Sequence, residues 1–160
     1  MAYSSNSPVS FFPISATTNS LGANDGEIGT RRYDQGREYV LVYNDCNSNM
    51  AIGQGITLQS GASGYSCTIS SVTSADLCVG VVRHQTISTG YYGWAVTKGI
   101  TYVKMMTASG SVAAGDMLEF AANGLFYKAS NATGNVSPVV GKALEAIAST
   151  TTGLAYVSCY

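Results

Sequence analysis

Apolar residues along this chain come in short runs, Tyr39–Tyr43, Val79–Val82, Trp94–Val96, Ile100–Val103, Leu125–Tyr127 and Leu154–Val157, separated by clusters of Gly, Ser, Thr and Asn. Short runs rich in β-branched and aromatic side chains, punctuated this way, read as strands joined by turns. The best helix-forming stretch is Lys142–Ile147, composed of residues with good individual propensity. It aligns, however, with a strand-like stretch elsewhere in the chain, so a strand is expected there too.

That alignment comes from an internal repeat at an offset of about 61 residues. The stretch Gly55-Ile-Thr-Leu, Gly64-Tyr65, Val79-Gly80, Ser88-Thr89 and Gly93-Trp-Ala95 is matched by Asp116-Met-Leu-Glu, Gly124-Leu-Phe126, Val140-Gly141, Ser149-Thr150 and Gly153-Leu-Ala155. Glycines and apolar residues fall in step while the polar positions drift. Ala62-Ser-Gly64 and Ala122-Asn-Gly124 each sit between apolar runs, and Asn-Gly tolerates the positive φ that a tight hairpin needs. The expectation is an all-β fold, a β-sandwich or β-barrel of two similar multi-strand units spanning 55–96 and 116–157. Both lie inside one domain, 36–160, preceded by an extended N-terminal arm, 1–35.

The arm is set apart by composition. Its first 28 or so residues are rich in Ser, Asn and Ala, with Pro8 and Pro13 around Val9, Phe11, Phe12 and Ile14. Such a segment cannot bury a core of its own and orders only against something else. Eight charged residues then crowd between Asp25 and Asp45, among them Arg31, Arg32 and Arg37, whereas positions 46 to 75 carry none. Phe11 and Phe12 are therefore expected as apolar anchors on a neighbouring protein, and the three arginines as partners for its carboxylates.

Composition narrows the function. Charged residues make up 11% of the chain and the net charge is -1, which gives no footprint for nucleic acid. No apolar run approaches a membrane span, and no secretory signal is visible at the N-terminus. Cys46, Cys67, Cys78 and Cys159 lack CxxC spacing and have a single histidine for company, so neither metal nor other cofactor is expected, and the thiols are read as free. His84 stands alone on a strand, and no serine lies in a nucleophile-elbow context. Asp116, Glu119 and Glu145 could supply paired carboxylates but fall at turn and strand positions without a visible cleft. Asn131 and Asn135 begin sequons with no secretory context. No enzymatic activity is expected; a hydrolase with His84 as base is the catalytic alternative.

Eleven tyrosines against four phenylalanines, with Tyr91, Tyr92 and Trp94 close together, favour a half-wet surface such as a subunit contact or a sugar platform. Trp94 is expected in the core, with Tyr91 and Tyr92 at its rim.

The order of elements Val79–Val81, Gly93–Gly99, Val112–Asp116, Asn123-Gly124, Val140–Ala146 and Ala155–Val157 resembles the small capsid decoration, or cement, proteins of tailed bacteriophages. The resemblance covers residues ~50 to 160. It implies a non-enzymatic virion protein on the exterior of an icosahedral head, made in the host cytoplasm. It also implies a homotrimer that clamps neighbouring major capsid protein subunits. Composition, rather than the resemblance, supplies the candidate contacts, Phe11, Phe12, Arg31, Arg32, Arg37, Tyr91 and Tyr92. The rival is a carbohydrate- or receptor-binding β module of a phage tail or fibre, using Tyr91, Tyr92 and Trp94.

Overall fold

Side chains from Lys98 to Val103 alternate strictly between exposed and buried, the period-two signature of a strand with one covered face. The computed structural model describes residues 12–22, 25–59, 64–69, 77–106, 111–129 and 139–159. Within them lie ten strands: β1 (Arg31–Asp34), β2 (Arg37–Asn44), β3 (Gly55–Leu58), β4 (Ser66–Thr68), β5 (Gly80–Val82), β6 (Tyr92–Lys104), β7 (Met117–Phe120), β8 (Phe126–Lys128), β9 (Val139–Ala143) and β10 (Thr152–Ser158). The fold is all-β, as the short apolar runs imply, and Lys142 and Ala143 belong to a strand.

All ten strands share one sheet in the order β1-β2-β4-β3-β5-β6-β10-β9-β7-β8. A further antiparallel ladder joins β2 to β6, so β2, β4, β3, β5 and β6 close a ring. Past Gly99, β6 leaves that ring and pairs along its second half with β10. Strands β9, β7 and β8 follow, and a parallel bridge between Met105 and Phe126 brings β8 back to the end of β6. The architecture is thus one sheet folded into two five-stranded rings that share β6, rather than a single barrel or a two-sheet sandwich. Gly99 permits the changeover. Its φ is 122°, and a Cβ there would stand 3.1 Å from the Gly36 carbonyl oxygen, so only glycine fits.

The two rings share a set of equivalent backbone hydrogen bonds. Met50 and Ile87 exchange both backbone hydrogen bonds, as do Val112 and Ile147. Gly53 N–H donates to Val82 O and Val82 N–H to Gln54 O; Gly115 N–H donates to Ala143 O and Ala143 N–H to Asp116 O. In both turns a side chain at the fourth position caps the first amide: Gln54 Oε1 accepts from Ala51 N–H, and Asp116 Oδ2 from Ala113 N–H. The counterpart of Asp116 is therefore Gln54, one residue before Gly55. The correspondence also starts earlier than residues 55 and 116, because β2 pairs with β6 in the first ring as the second half of β6 pairs with β10 in the second. Each unit accordingly has five strands.

Inside the first ring, Val40, Val42, Met50, Ile56, Cys67, Val82, Ile87 and Ala95 form one apolar cluster. A second cluster holds the interior of the second ring, including Val103, Leu118, Phe120, Phe126, Ile147 and Ala155, and continues to Tyr39, Leu41, Trp94 and Val96 on the outside of the first. The β7–β8 connection carries Asn123 at φ 58° and Gly124 at φ 70°, the paired left-handed residues foreseen for Asn-Gly.

The boundary of the arm needs correction. β1 lies within the sheet, and a two-residue turn at Gln35 and Gly36, both at positive φ, closes it onto β2 through the Asp34–Arg37 pair. Residues 31–35 therefore belong to the folded domain.

Candidate functional site

The segment predicted to anchor on another protein packs on its own chain. Phe12 is buried in the larger core cluster, with Ile14, Ala16 and Leu21 against the same cluster. The Phe12 carbonyl oxygen accepts from Trp94 Nε1 at 3.2 Å and from Arg32 Nη1 at 3.0 Å, and the Arg32 guanidinium lies over the Trp94 ring, 5.6 Å from its centroid. Thr18 and Tyr92 exchange backbone hydrogen bonds. An apolar side chain used this way is not free to anchor elsewhere, so Phe12 is removed from the contact set. Phe11 lies outside the described residues.

The arginines are also engaged internally. Arg31 forms an ion pair with Glu38, which also accepts from the Tyr33 hydroxyl. Desolvation pulls the Glu38 carboxyl upward, but its bonds to Tyr33 and Arg31 outweigh this and leave its pKa below the usual value. Arg37 Nε donates to Ile100 O at 2.6 Å. Of the aromatic cluster, Trp94 is buried, as its core assignment requires, and offers no face to a sugar. Tyr92 is half-buried, its ring 4.9 Å from that of Tyr43, and Tyr91 is exposed. The structure thus does not present the six described residues of the sequence-derived set, Phe12, Arg31, Arg32, Arg37, Tyr91 and Tyr92, as one free surface.

His84 borders a shallow cleft of about 430 Å³ lined by Pro13, Ile14, Ser15, Arg32, Asp34 and Gln35. Its Nε2 lies 3.2 Å from the Tyr39 hydroxyl, and the two rings stack. Partial desolvation, then the positive charges of Arg83 and Arg37, hold its pKa below 6.5. Ser15 and Asp34 line the same cleft without a hydrogen bond to His84. Among the described residues, no group of three or more His, Cys, Asp or Glu side chains is placed to hold a metal ion.

A different surface stands out when the rings are compared. In the first ring, the outward cross-strand pairs Tyr39–Val96 and Leu41–Trp94 are at most 3% exposed, covered by the Phe12–Leu21 segment. Their counterparts in the second ring are Ile100–Tyr156 and Tyr102–Leu154. There Ile100, Tyr102 and Tyr156 are 44%, 45% and 40% exposed, and Met117 and Leu144 nearby reach 47% and 45%. A face that the fold buries in one copy is open in the other.

Cations rim this face. Lys98 and Lys104 share the Ile100–Tyr102 side of β6, and Lys142 is paired with Tyr156. Arg37 and Arg83 both donate to Ile100 O at its margin. Carboxylates adjoin it as well: Glu145 accepts the Leu154 N–H at 2.8 Å, and Glu38 is the ladder partner of Lys98. An apolar, tyrosine-bearing centre within a cationic rim suits adhesion to a surface with carboxylates around an apolar patch. Sequence reasoning missed this face except for Arg37. The available signal was the alternation Lys98, Ile100, Tyr102, Lys104, which becomes informative once Ile100 and Tyr102 are set against Tyr39 and Leu41.

No protein-family model matches the chain, and no curated protein matches it in sequence. Among solved structures, the N base of head fiber gp8.5 in bacteriophage phi29 is similar in fold, with a TM-score of 0.54 at 14% sequence identity, over 75% of this chain and 92% of that one.

Proposed function

We propose that this chain is a virion structural protein that binds the outer surface of an icosahedral phage head and stabilises the shell by bridging neighbouring major capsid protein subunits as a homotrimer. The observation that carries this reading is the open face of the second ring, Ile100, Tyr102, Leu154 and Tyr156 within its cationic rim. Its buried counterpart in the first ring shows what such a face does in this fold: it is covered by apolar groups. The resemblance to decoration proteins and the shared fold with a phage head fiber base point the same way. Repetition over many shell positions turns modest contacts into high avidity, and binding only the assembled shell stabilises it by mass action. No chemistry at the site is required.

The test uses heads assembled without the chain, to which purified protein is added back before sedimentation. Wild type is expected to co-sediment at hundreds of copies per particle, and Tyr102→Ser/Tyr156→Ser to fold but stay in the supernatant. A wild-type chain that leaves no copies on the heads overturns the reading. Equal binding by the double variant removes this face from it.

A further inference from the structure

Two of the four cysteines meet. Cys78, fully buried just before β5, and Cys159, half-buried just after β10, have their sulfurs 3.5 Å apart, although they are 81 residues apart in sequence. The other two thiols have oxygen acceptors of their own, as Cys78 Sγ also has in Gly80 O at 3.3 Å, but among the described residues the sulfur–sulfur approach is that of Cys78 and Cys159. Cys46 Sγ donates to Asn44 Oδ1 and Ser48 O, each at 2.9 Å, and Cys67 Sγ to Tyr65 O at 3.3 Å. Backbone holds the juxtaposition in place, since Cys159 N–H donates to Thr97 O at 2.7 Å and β5 is laddered to β6.

We propose that Cys78 and Cys159 are a modification site, closing to an intramolecular disulfide when the protein meets a low-molecular-weight disulfide such as oxidised glutathione. The bond ties the end of the second ring to the first strand that follows Cys78 in the first ring. Cys159, the more exposed of the two, gives up its proton to solvent, and its thiolate attacks one sulfur of the small disulfide. That S–S bond breaks and one glutathione leaves as thiolate. Cys78 then loses its proton and attacks the Cys159 sulfur of the mixed disulfide, expelling the second glutathione. Two protein thiols are oxidised, one small disulfide is reduced to two thiols, and both protons pass to solvent or the departing thiolates. Closure brings the sulfurs from 3.5 Å to about 2.05 Å.

The reaction is slow at neutral pH. The hydrogen bond with Cys78, then burial, hold the Cys159 thiol well above its usual pKa, so its thiolate is scarce. Closure accelerates as pH rises. Because the bond encloses a long loop, it restrains the unfolded chain strongly and raises the thermal midpoint by roughly 10 °C.

The experiment takes the full chain purified under reductant, removes the reductant, and incubates it with oxidised glutathione in mildly alkaline buffer. Intact mass, alkylation of the denatured chain and peptide mapping then follow. The expected result is loss of the mass of two hydrogens, two remaining alkylatable thiols, a Cys78–Cys159 linked peptide, and a raised midpoint that a dithiol reverses. Cys159→Ser is expected to show none of these changes. Four alkylatable thiols, a persistent glutathione adduct, or a linkage through Cys46 or Cys67 overturns the proposal, and each is readable on the wild-type chain whatever the variant does.

Discussion

Thr150, matched to Thr89 by sequence, occupies in the structure the turn position that Gly90 holds in the first ring. The Ser88–Tyr91 turn is closed by Tyr91 N–H to Ser88 O and carries Gly90 at φ 77°; the Ala148–Thr151 turn is closed by Thr151 N–H to Ala148 O and carries Thr150 at φ 66°. A β-branched residue in the left-handed region is strained, because Cβ and its substituents crowd the adjacent carbonyl. Glycine removes that strain but loses more chain entropy on folding, so the net gain is smaller than the strain itself. Thr150→Gly is expected to stabilise the protein by about 0.5–1 kcal/mol, read as a higher midpoint in thermal unfolding. Gly90→Thr should move the midpoint the other way. A drop on Thr150→Gly would show that the Thr150 hydroxyl, which donates to Ser149 O, is worth more than the strain it accompanies.

At the level of elements, the apolar runs named the strands because a half-covered sheet demands period-two burial, and six runs map onto β2, β5, both halves of β6, β8 and β10. Asn123-Gly124 was legible because only a left-handed pair closes that turn. β1 was not: Arg31, Arg32 and Asp34 look like a solvated linker, and their charge is what an edge strand uses to avoid pairing with other chains. Nor was the destination of Phe12, since composition shows that a segment needs a surface to cover but not whose surface it is. Trp94 fixes that destination. Trp94→Phe keeps the ring's bulk while deleting the donor to Phe12 O and weakening the stack with Arg32, a loss of about 1–2 kcal/mol confined to the docked segment. Amide exchange at Thr18, bonded to Tyr92 O, is expected to accelerate about tenfold or more, while Val82, bonded to Gln54 O within the first ring, keeps its protection. Unchanged protection at Thr18 would mean that the Phe12 contact does not hold the segment down.

Over the whole molecule, β6 is structural wall to both rings, and the larger core cluster runs without a break from Trp94 and Val96 to Val157 and Phe126. There is no plane along which one ring could separate while leaving the other its full complement of neighbours. The rings should therefore unfold together, and Trp94, the single tryptophan, lies on the first-ring half of β6 opposite Leu41, a fluorescent probe placed in that ring. Gly141 in β9 offers a perturbation confined to the second. A Cβ there would stand 2.5 Å from the Tyr156 carbonyl oxygen, a backbone atom that cannot swing aside, so Gly141→Ala forces β9 and β10 apart and destabilises by about 1–3 kcal/mol. In urea, the fluorescence of Trp94 and the far-ultraviolet dichroism of all ten strands are expected to fall to the same lower midpoint in this variant. If the dichroism instead shows an early phase while Trp94 keeps its wild-type midpoint, the second ring melts alone, and β6 joins the rings without coupling them.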